Sequence, residues 1–190
     1  MQYLISLALL VAVAAWLVGV YNNLEHLRGV VCNCWMQWSK MTHYRNECLR
    51  SFVPVFASFM PEASPLPRLL LELVDDSEHS LAESRELRRG PFQQFSGRTE
   101  SRLRKAVAES VLLVEASPIM REHHELLSMC SNVSASLYQQ EQIETLFNRA
   151  VREYNKALSS LSARFLGPVF GFVAAFPLDA MQHAQNARNS

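Results

Sequence analysis

The sequence predicts an all-α protein in which an N-terminal transmembrane helix continues into an antiparallel four-helix bundle with long first and last helices. Residues 3–20 are almost entirely apolar, and no side chain that is charged at neutral pH precedes Glu25. Beyond this segment, apolar residues recur every three or four positions without the alternation of a β-strand. The 49% hydrophobic content is ordinary for a chain that buries a core, which argues against overall disorder.

Composition narrows the function classes. The chain has 18 basic and 18 acidic residues and a pI near 7.0, so it lacks the overall positive field that non-specific nucleic-acid binding requires. We therefore expect no nucleic-acid partner. Four cysteines in 190 residues are too few for a disulfide scaffold and suit a reducing compartment.

Residues 1–21 are predicted to be a retained membrane anchor. The apolar run from Tyr3 to Val20 has the length of a bilayer span, since about 20 helical residues cross the hydrocarbon core. A cleaved signal peptide would carry Lys or Arg before the run, and a buried core helix would show a polar stripe. Arg28 and Lys40 follow the span. The positive-inside rule then places the N-terminus outside and the body in the cytoplasm, at the inner (cytoplasmic) membrane, with a periplasmic body as the alternative.

Residues 22–165 are predicted to form the bundle, and its first helix directly continues the span. Steps of three and four residues from Leu24 give a row in which only Arg45 is charged, and such spacing places the row on one helix face. Pro54 is expected to kink this helix. The row consists of Leu24, Leu27, Val31, Cys34, Trp38, Met41, Arg45, Cys48, Phe52, Val55 and Phe59.

Three further helices are predicted over residues 67–89, 97–116 and 119–163, separated by Gly-Pro and Ser-Pro breaks. The first and last body helices would be about 60 and 65 Å long and the middle two about 30–35 Å. Gln140 and Glu144 interrupt the inward row of the last helix, either at its edge or as a buried polar pair that fixes helix register. That row consists of Leu126, Cys130, Val133, Leu137, Gln140, Glu144, Phe147, Val151, Tyr154, Leu158, Leu161 and Phe165.

Residues 166–190 are predicted to be an apolar tail with a disordered end. The stretch from Phe165 to Leu178 carries no charge, but it is too short to span a bilayer and is interrupted by Gly and Pro. It is expected either to cap the base of the bundle or to lie in the membrane interface beside the anchor.

Several motifs together resemble the LemA family. Two aromatic-Asn pairs stand seven residues apart and are followed by a Phe-Gly-Phe close, while an N-terminal anchor precedes Tyr21-Asn22. Residues 60–110 match poorly, so the chain resembles a divergent member. The resemblance implies a membrane-anchored antiparallel helical bundle without an established enzymatic activity, and with no catalytic, cofactor or metal residue. It rests on Tyr21, Asn22, Trp35, Pro54, Pro118, Phe147, Asn148, Tyr154, Asn155, Phe170, Gly171 and Phe172.

Asn148 and Asn155 share one helix face because they are seven residues apart. Each follows an aromatic residue of the inward row. Such asparagines are expected either to form interhelical hydrogen bonds that set register, or to contact a peptide or ligand.

The sequence from Glu122 to Glu125 contains two adjacent histidines and begins like a zinc-protease helix motif. The second zinc-binding histidine is replaced by Ser128, so the pair of ligands one turn apart is missing. Cys32 and Cys34 would point to different helix faces. We expect no cofactor and no metal, and a metal-dependent enzyme using His123 to Glu125 is the least favoured function.

Charge is unevenly distributed, with acidic residues concentrated over 62–83 and basic residues over 85–105. The two segments are expected either to pack together or to offer a basic surface to an acidic partner. The sequence thus favours a scaffold or adaptor for membrane or envelope proteins, and the alternative is a homo-oligomer that remodels membranes. The candidate partner surface comprises Arg85, Arg88, Arg89, Arg98, Arg102, Arg104 and Lys105.

Overall fold

A computed structural model describes residues 2–86, 97–160 and 169–178. Within these ranges every regular element is helical, so the all-α prediction is confirmed. The helices are α1 (Gln2–Ala57), α2 (Leu66–Glu86), α3 (Gly97–Ala116), α4 (Pro118–Arg121) and α5 (His124–Leu158).

Helix α1 combines the apolar segment and the first core helix in 56 continuous residues. No other described part of the chain buries its apolar window. By length and composition, it is the one helix in the described part of the chain that could cross a membrane. Pro54 lies at an exposed position in the last turn, where the helix is about to end at Ala57. At about 1.5 Å per residue the helix is about 85 Å long.

Helices α5 and α2 pack beside the second part of α1. Helix α1 contacts α5 and α2, and α2 contacts α3. Helix α5 runs antiparallel to α1, since Thr42 meets Gln140 whereas Trp35 meets Phe147. We call the end of this body next to residue 20 the span end, and the end near Ala57 the far end.

Two apolar clusters fill the body, one towards each end. The far cluster centres on the second half of α1 and includes Leu49, Phe52, Phe56, Leu70, Leu73, Leu103, Val107, Leu126 and Val133. The span-end cluster includes Leu24, Val31, Trp35, Trp38, Leu81, Phe147, Val151, Tyr154, Phe172, Ala175 and Leu178. The tail therefore packs on the body and contributes to its core. Of the two alternatives, this packing corresponds to the cap at the base of the bundle.

The predicted inward row of α1 is only half correct. Alternate members from Leu24 to Phe52 are buried, but the rest are only half-buried: Leu27, Cys34, Met41, Cys48, Val55 and Phe59. Their places are taken by residues one position later: Trp35, Thr42, Leu49 and Phe56. Because α1 packs against both α5 and α2, its buried face is centred further round the helix than the row that starts at Leu24.

The predicted last helix is interrupted and shorter than expected. The backbone of His123 is extended, with φ −91° and ψ 99°, and its Nδ1 accepts a hydrogen bond from the amide of Leu126 at 3.2 Å. This N-cap separates α4 from α5. Helix α5 ends at Leu158, so the prediction that it reaches residue 163 is wrong.

The helix boundaries in the middle of the chain agree well with the sequence. The predicted third helix coincides with α3, and α2 begins at Leu66, one residue before the predicted start. Ser117 caps α4 by accepting a hydrogen bond from the amide of Met120, and Pro118 occupies the first turn. The predicted turn at Gly90 lies outside the described residues, as do Leu161 and Phe165.

Candidate functional site

A buried ionic network lies between the two apolar clusters. The Arg45 side chain is 0% exposed, and its guanidinium donates to both carboxylate oxygens of Glu100, at 2.5 and 3.2 Å. It also donates to Gln140 Oε1 at 2.8 Å and to Ser77 Oγ at 3.1 Å. These four side chains belong to α1, α3, α5 and α2 respectively. A single residue of α1 is thereby bonded to each of the other three long helices.

The partners of Arg45 are themselves hydrogen-bonded. The Ser77 hydroxyl donates to Glu100 Oε1 at 2.7 Å, and Gln140 Nε2 donates to Thr42 Oγ1 at 2.9 Å. The Thr42 hydroxyl in turn donates to the backbone carbonyl of Trp38 at 2.9 Å. Buried polar groups that are satisfied in this way avoid the cost of desolvation without a partner and hold their helices in one alignment.

Glu100 remains ionised within this network. Burial on its own would raise the pKa of the carboxyl group, but the charge and hydrogen bonds of Arg45, the hydrogen bond of Ser77 and the charge of Arg104 together lower it below its ordinary value. The buried arginine is therefore matched by a buried carboxylate, as charge balance in a dry interior requires.

The two polar members of the α5 row are both buried. Gln140 binds Arg45, and Glu144 forms an ion pair with Arg104 of α3. The interpretation that these side chains lie at the edge of the inward row is therefore wrong. Their location is that of two buried polar residues. Glu100 was missed, although it precedes Leu103 and Val107 at inward spacing on α3.

The tail, residues 169–178, is held by side chains of α5 through its backbone. Asn155 Nδ2 donates to the carbonyl of Ala175 at 2.7 Å, and Asn155 Oδ1 accepts from the Ala175 amide at 3.0 Å. Asn148 Oδ1 accepts from the Leu178 amide at 2.7 Å. The Tyr154 hydroxyl donates to the carbonyl of Val173 at 2.9 Å. The tail thus runs antiparallel to α5, from the span end towards the far end.

The seven-residue spacing of the asparagines explains why they bind tail residues that are three positions apart. Seven helical residues advance by about 10 Å, and three residues of extended chain cover about the same distance. Asn155 and Asn148 therefore reach tail residues three apart. The expectation of interhelical hydrogen bonds is wrong for these two side chains, because they bind the backbone of the protein's own tail. Contact with a separate peptide or ligand stays a prediction.

The Phe-Gly-Phe close begins the tail next to the end of the apolar segment. Gly171 has φ +71°, a left-handed conformation that glycine adopts without steric cost. The turn places the rings of Phe170 and Phe172 edge-on to Tyr21, with centroids 5.1 and 5.7 Å away. Deeper in the body, the ring of Trp35 lies 5.7 Å from that of Phe147.

Most of the residues that carry the family resemblance meet at the span end. The exceptions are Asn22, which is exposed on α1, and Pro54 and Pro118, which lie at the far end. The residues brought together are Tyr21, Trp35, Phe147, Asn148, Tyr154, Asn155, Phe170, Gly171 and Phe172.

The candidate basic surface is only partly exposed. Arg98, Arg102 and Lys105 are exposed along one face of α3, whereas Arg104 is paired with Glu144. The side chains of Arg85, Arg88 and Arg89 lie outside the described residues. On acidic α2, Asp75 pairs with Arg50 and Glu78 with His43, both on α1.

The histidine cluster has a structural role at the start of α5. His123 caps the helix and packs its ring edge-on to Phe59, with centroids 5.1 Å apart, while His124 is exposed. Within residues 2–86, 97–160 and 169–178, no group of three or more His, Cys, Asp or Glu side chains is arranged to hold a metal ion. All four cysteines are free thiols.

Comparisons with known proteins add no relative. No family model, no curated protein and no solved structure matches this chain.

Proposed function

We propose that this protein is a non-enzymatic scaffold or adaptor of the inner membrane, in which one span carries an antiparallel four-helix bundle. The observation that carries the proposal is the continuity of α1, which is both the exposed apolar segment and the main core helix. No flexible linker separates the anchor from the body, so a partner bound to the body would be held at a fixed distance from the bilayer.

The ionic network supports this proposal because it joins the anchor helix to the rest of the body. Arg45 of α1 is bonded to α2, α3 and α5 through Ser77, Glu100 and Gln140. Sliding or rotation of α1 or α3 would separate the buried charges of Arg45 and Glu100, which is strongly unfavourable. Movement of α2 or α5 would remove hydrogen bonds from the same charged pair. Such a body suits rigid presentation of a surface.

Orientation and family are part of the same proposal. Arg28 and Lys40 after the span favour a cytoplasmic body, by the positive-inside rule. The resemblance to the LemA family is supported by the meeting of its motif residues at the span end, where the asparagines and the Phe-Gly-Phe close form one assembly.

The proposed partner surface is the exposed basic face of α3, formed by Arg98, Arg102 and Lys105. Glu100 is level with Arg45, which lies 25 residues beyond Val20. This face is therefore about 37 Å along the helix from the apolar segment. Since the Debye length is about 8 Å at physiological salt, lipid headgroups are too distant to be its target, and an acidic protein surface fits better.

Site-specific photocrosslinking in native membranes tests the scaffold. A photoreactive residue replaces exposed Ala108, beside the basic face, in a chain that is otherwise native. We expect a discrete adduct with an acidic membrane protein that is lost in the double variant Arg102→Glu/Lys105→Glu. The matched control Arg121→Glu/Lys156→Glu reverses two exposed charges elsewhere and should keep the adduct. Absence of any discrete adduct, or equal loss in both variants, contradicts the proposal.

A homo-oligomer that remodels membranes is the second candidate. It is favoured by the large apolar side chains that the tail leaves exposed, among them Val169 and Phe170. The mass of the protein in a mild detergent distinguishes the two, because the scaffold is expected to be monomeric and the remodelling protein to form a stable oligomer.

A further inference from the structure

The tail has two apolar faces, and only one of them is buried in the body. Phe172, Ala175 and Leu178 are buried against α1 and α5. The other face exposes four large side chains within ten residues: Val169 at 75%, Phe170 at 51%, Val173 at 56% and Phe176 at 44%. An apolar patch of this kind on a folded surface marks an interaction site.

The position of the patch identifies what covers it. Phe170 packs on Tyr21, which directly follows the apolar segment from Tyr3 to Val20. The exposed face of the tail is therefore continuous with the exposed surface of the proposed span. Aromatic side chains with a polar atom, such as Tyr21, favour the boundary between hydrocarbon and water.

Several backbone polar atoms of the tail already have hydrogen-bond partners within the protein, which lowers the cost of entering a low-dielectric environment. Extended peptide normally resists entry into a bilayer because its amides and carbonyls lose their hydrogen bonds to water. Here Asn155, Asn148 and Tyr154 supply partners for the backbone of Val173, Ala175 and Leu178. The stretch from Phe165 to Leu178 also contains no charged side chain.

We infer that the exposed face of the tail lies in the bilayer interface beside the span and forms a second membrane contact. The occupant is lipid, because the patch adjoins the lipid-facing segment of the same chain. This inference rests on the proposed membrane anchor. The asparagines act as positioning residues that hold the tail against the body while its outer face meets the acyl-chain boundary.

The two exposed phenylalanines of the tail lie at different distances from the span and are therefore expected at different depths in the bilayer interface. Phe170 lies at the level of Tyr21, whereas Ala175 is bonded to Asn155, about one and a half helical turns further from the span. Phe170 is therefore the deepest aromatic side chain of the tail and Phe176 a shallower one. A tilt of about 20°, typical of membrane helices, in the direction of the tail would bring Phe176 towards the headgroups.

Photocrosslinking to lipid tests this directly in the full-length chain. Benzoylphenylalanine replaces one residue at a time, at Phe170, Phe176, Trp16 or Tyr138, and the protein is reconstituted in phosphatidylcholine–phosphatidylglycerol nanodiscs. Trp16 lies in the apolar segment, and Tyr138 is exposed on α5 far from it, so they serve as positive and negative controls. Intact mass after illumination separates lipid adducts from dimers. Helical circular dichroism checks that each variant is folded.

We expect the lipid-adduct fraction to fall in the order Trp16, Phe170, Phe176 and Tyr138, with several-fold more adduct at Phe170 than at Tyr138. Lipid adducts at Trp16 together with none at Phe170 overturn the tail inference but leave the anchor intact. Dimers at Phe170 show that a second copy covers the patch, which also overturns it. No lipid adduct at Trp16 overturns the anchor, and the tail inference with it.

Discussion

Asn155 is the side chain on which tail docking depends most, because its carboxamide binds both backbone polar atoms of Ala175. Replacement by Ala leaves a half-buried amide and carbonyl without partners, at a cost of about 1–3 kcal/mol to the docked state. We therefore expect Asn155→Ala to accelerate hydrogen exchange at the Ala175 amide. Asn155→Asp, which keeps an acceptor but loses the donor, should have a smaller effect.

Asn132→Ala provides the matched control for this prediction, since Asn132 is an exposed asparagine on the same helix. Its exchange at Ala175 should equal that of the native protein. If Asn155→Ala also leaves the exchange rate at Ala175 unchanged, the tail is held by side-chain packing and the asparagine has no positioning role.

Arg45 and Glu100 form the buried pair whose loss should be most costly. Removing either charge leaves the other buried without its partner, and we expect Glu100→Gln or Arg45→Met to lower the free energy of unfolding of the body by about 3–5 kcal/mol. The double variant Arg45→Met/Glu100→Leu should recover much of this loss because no charge then remains unpaired. Urea unfolding in mild detergent measures all three. A double variant that is as unstable as the sum of the single variants would contradict the account.

Because the pKa of Glu100 is lowered in the folded state, the free energy of unfolding of the body should decrease at low pH. A carboxyl group whose pKa is lower in the folded state contributes stability fully above its unfolded pKa, about 4.3, and loses it as the pH falls through the folded value. Stability near pH 7 should therefore be flat with respect to this group. Below about pH 4.3, the native protein should lose stability more steeply than Glu100→Gln, which has no proton to gain. If the free energy of unfolding falls equally steeply with decreasing pH in the two proteins, Glu100 is not ionised in the folded state.

At the scale of elements, the junction between α4 and α5 depends on an N-cap that residue preferences do not favour. His123 accepts the Leu126 amide through Nδ1, in place of the usual Ser, Thr, Asp or Asn. We expect His123→Ala to lower the free energy of unfolding by about 1 kcal/mol, while His123→Asn, which keeps a capping acceptor, should cost less. Urea unfolding of the two variants and the native chain tests this. Equal losses would assign the effect to the packing of His123 on Phe59.

Helix continuity and most boundaries could be predicted because they depend on local signals. Prolines mark the breaks between α1 and α2 and between α3 and α4, and apolar periodicity identifies the helices. The buried face of α1 was placed one residue too early at alternate positions because the row starting at Leu24 says nothing about which neighbours flank the helix. The break at His123 was missed because histidine is an uncommon cap.

The polar network and the bound tail depend on contacts between distant residues, which local sequence patterns do not reveal. Arg45 was visible as an interruption of an apolar row, and Glu100 follows the inward spacing of α3, but their pairing joins positions 55 residues apart. The asparagine pair was recognised as sharing one face, yet its partners are backbone atoms of a segment that has no helical period. Long-range pairing of this kind depends on the tertiary fold.

At the scale of the whole molecule, the ionic network divides the body into two apolar clusters and joins all four long helices between them. The span-end cluster is completed by the tail, and the far cluster by the turns around Pro118. The basic face of α3 is presented some distance from the span end. This arrangement is the basis for proposing a rigid scaffold that stands on a single anchor.

The membrane anchor is tested most directly by the mass of the fragment that a bilayer protects from proteolysis. The full-length protein in nanodiscs, where both faces are accessible, is treated with proteinase K in urea that unfolds the body, and the surviving peptide is identified by mass spectrometry. We expect a protected peptide that contains Tyr3 to Val20 and ends before about Arg28, since the first charged residues follow the apolar segment there. Cleavage within residues 3–20, with no protected peptide, would contradict the membrane anchor and the scaffold that is built on it.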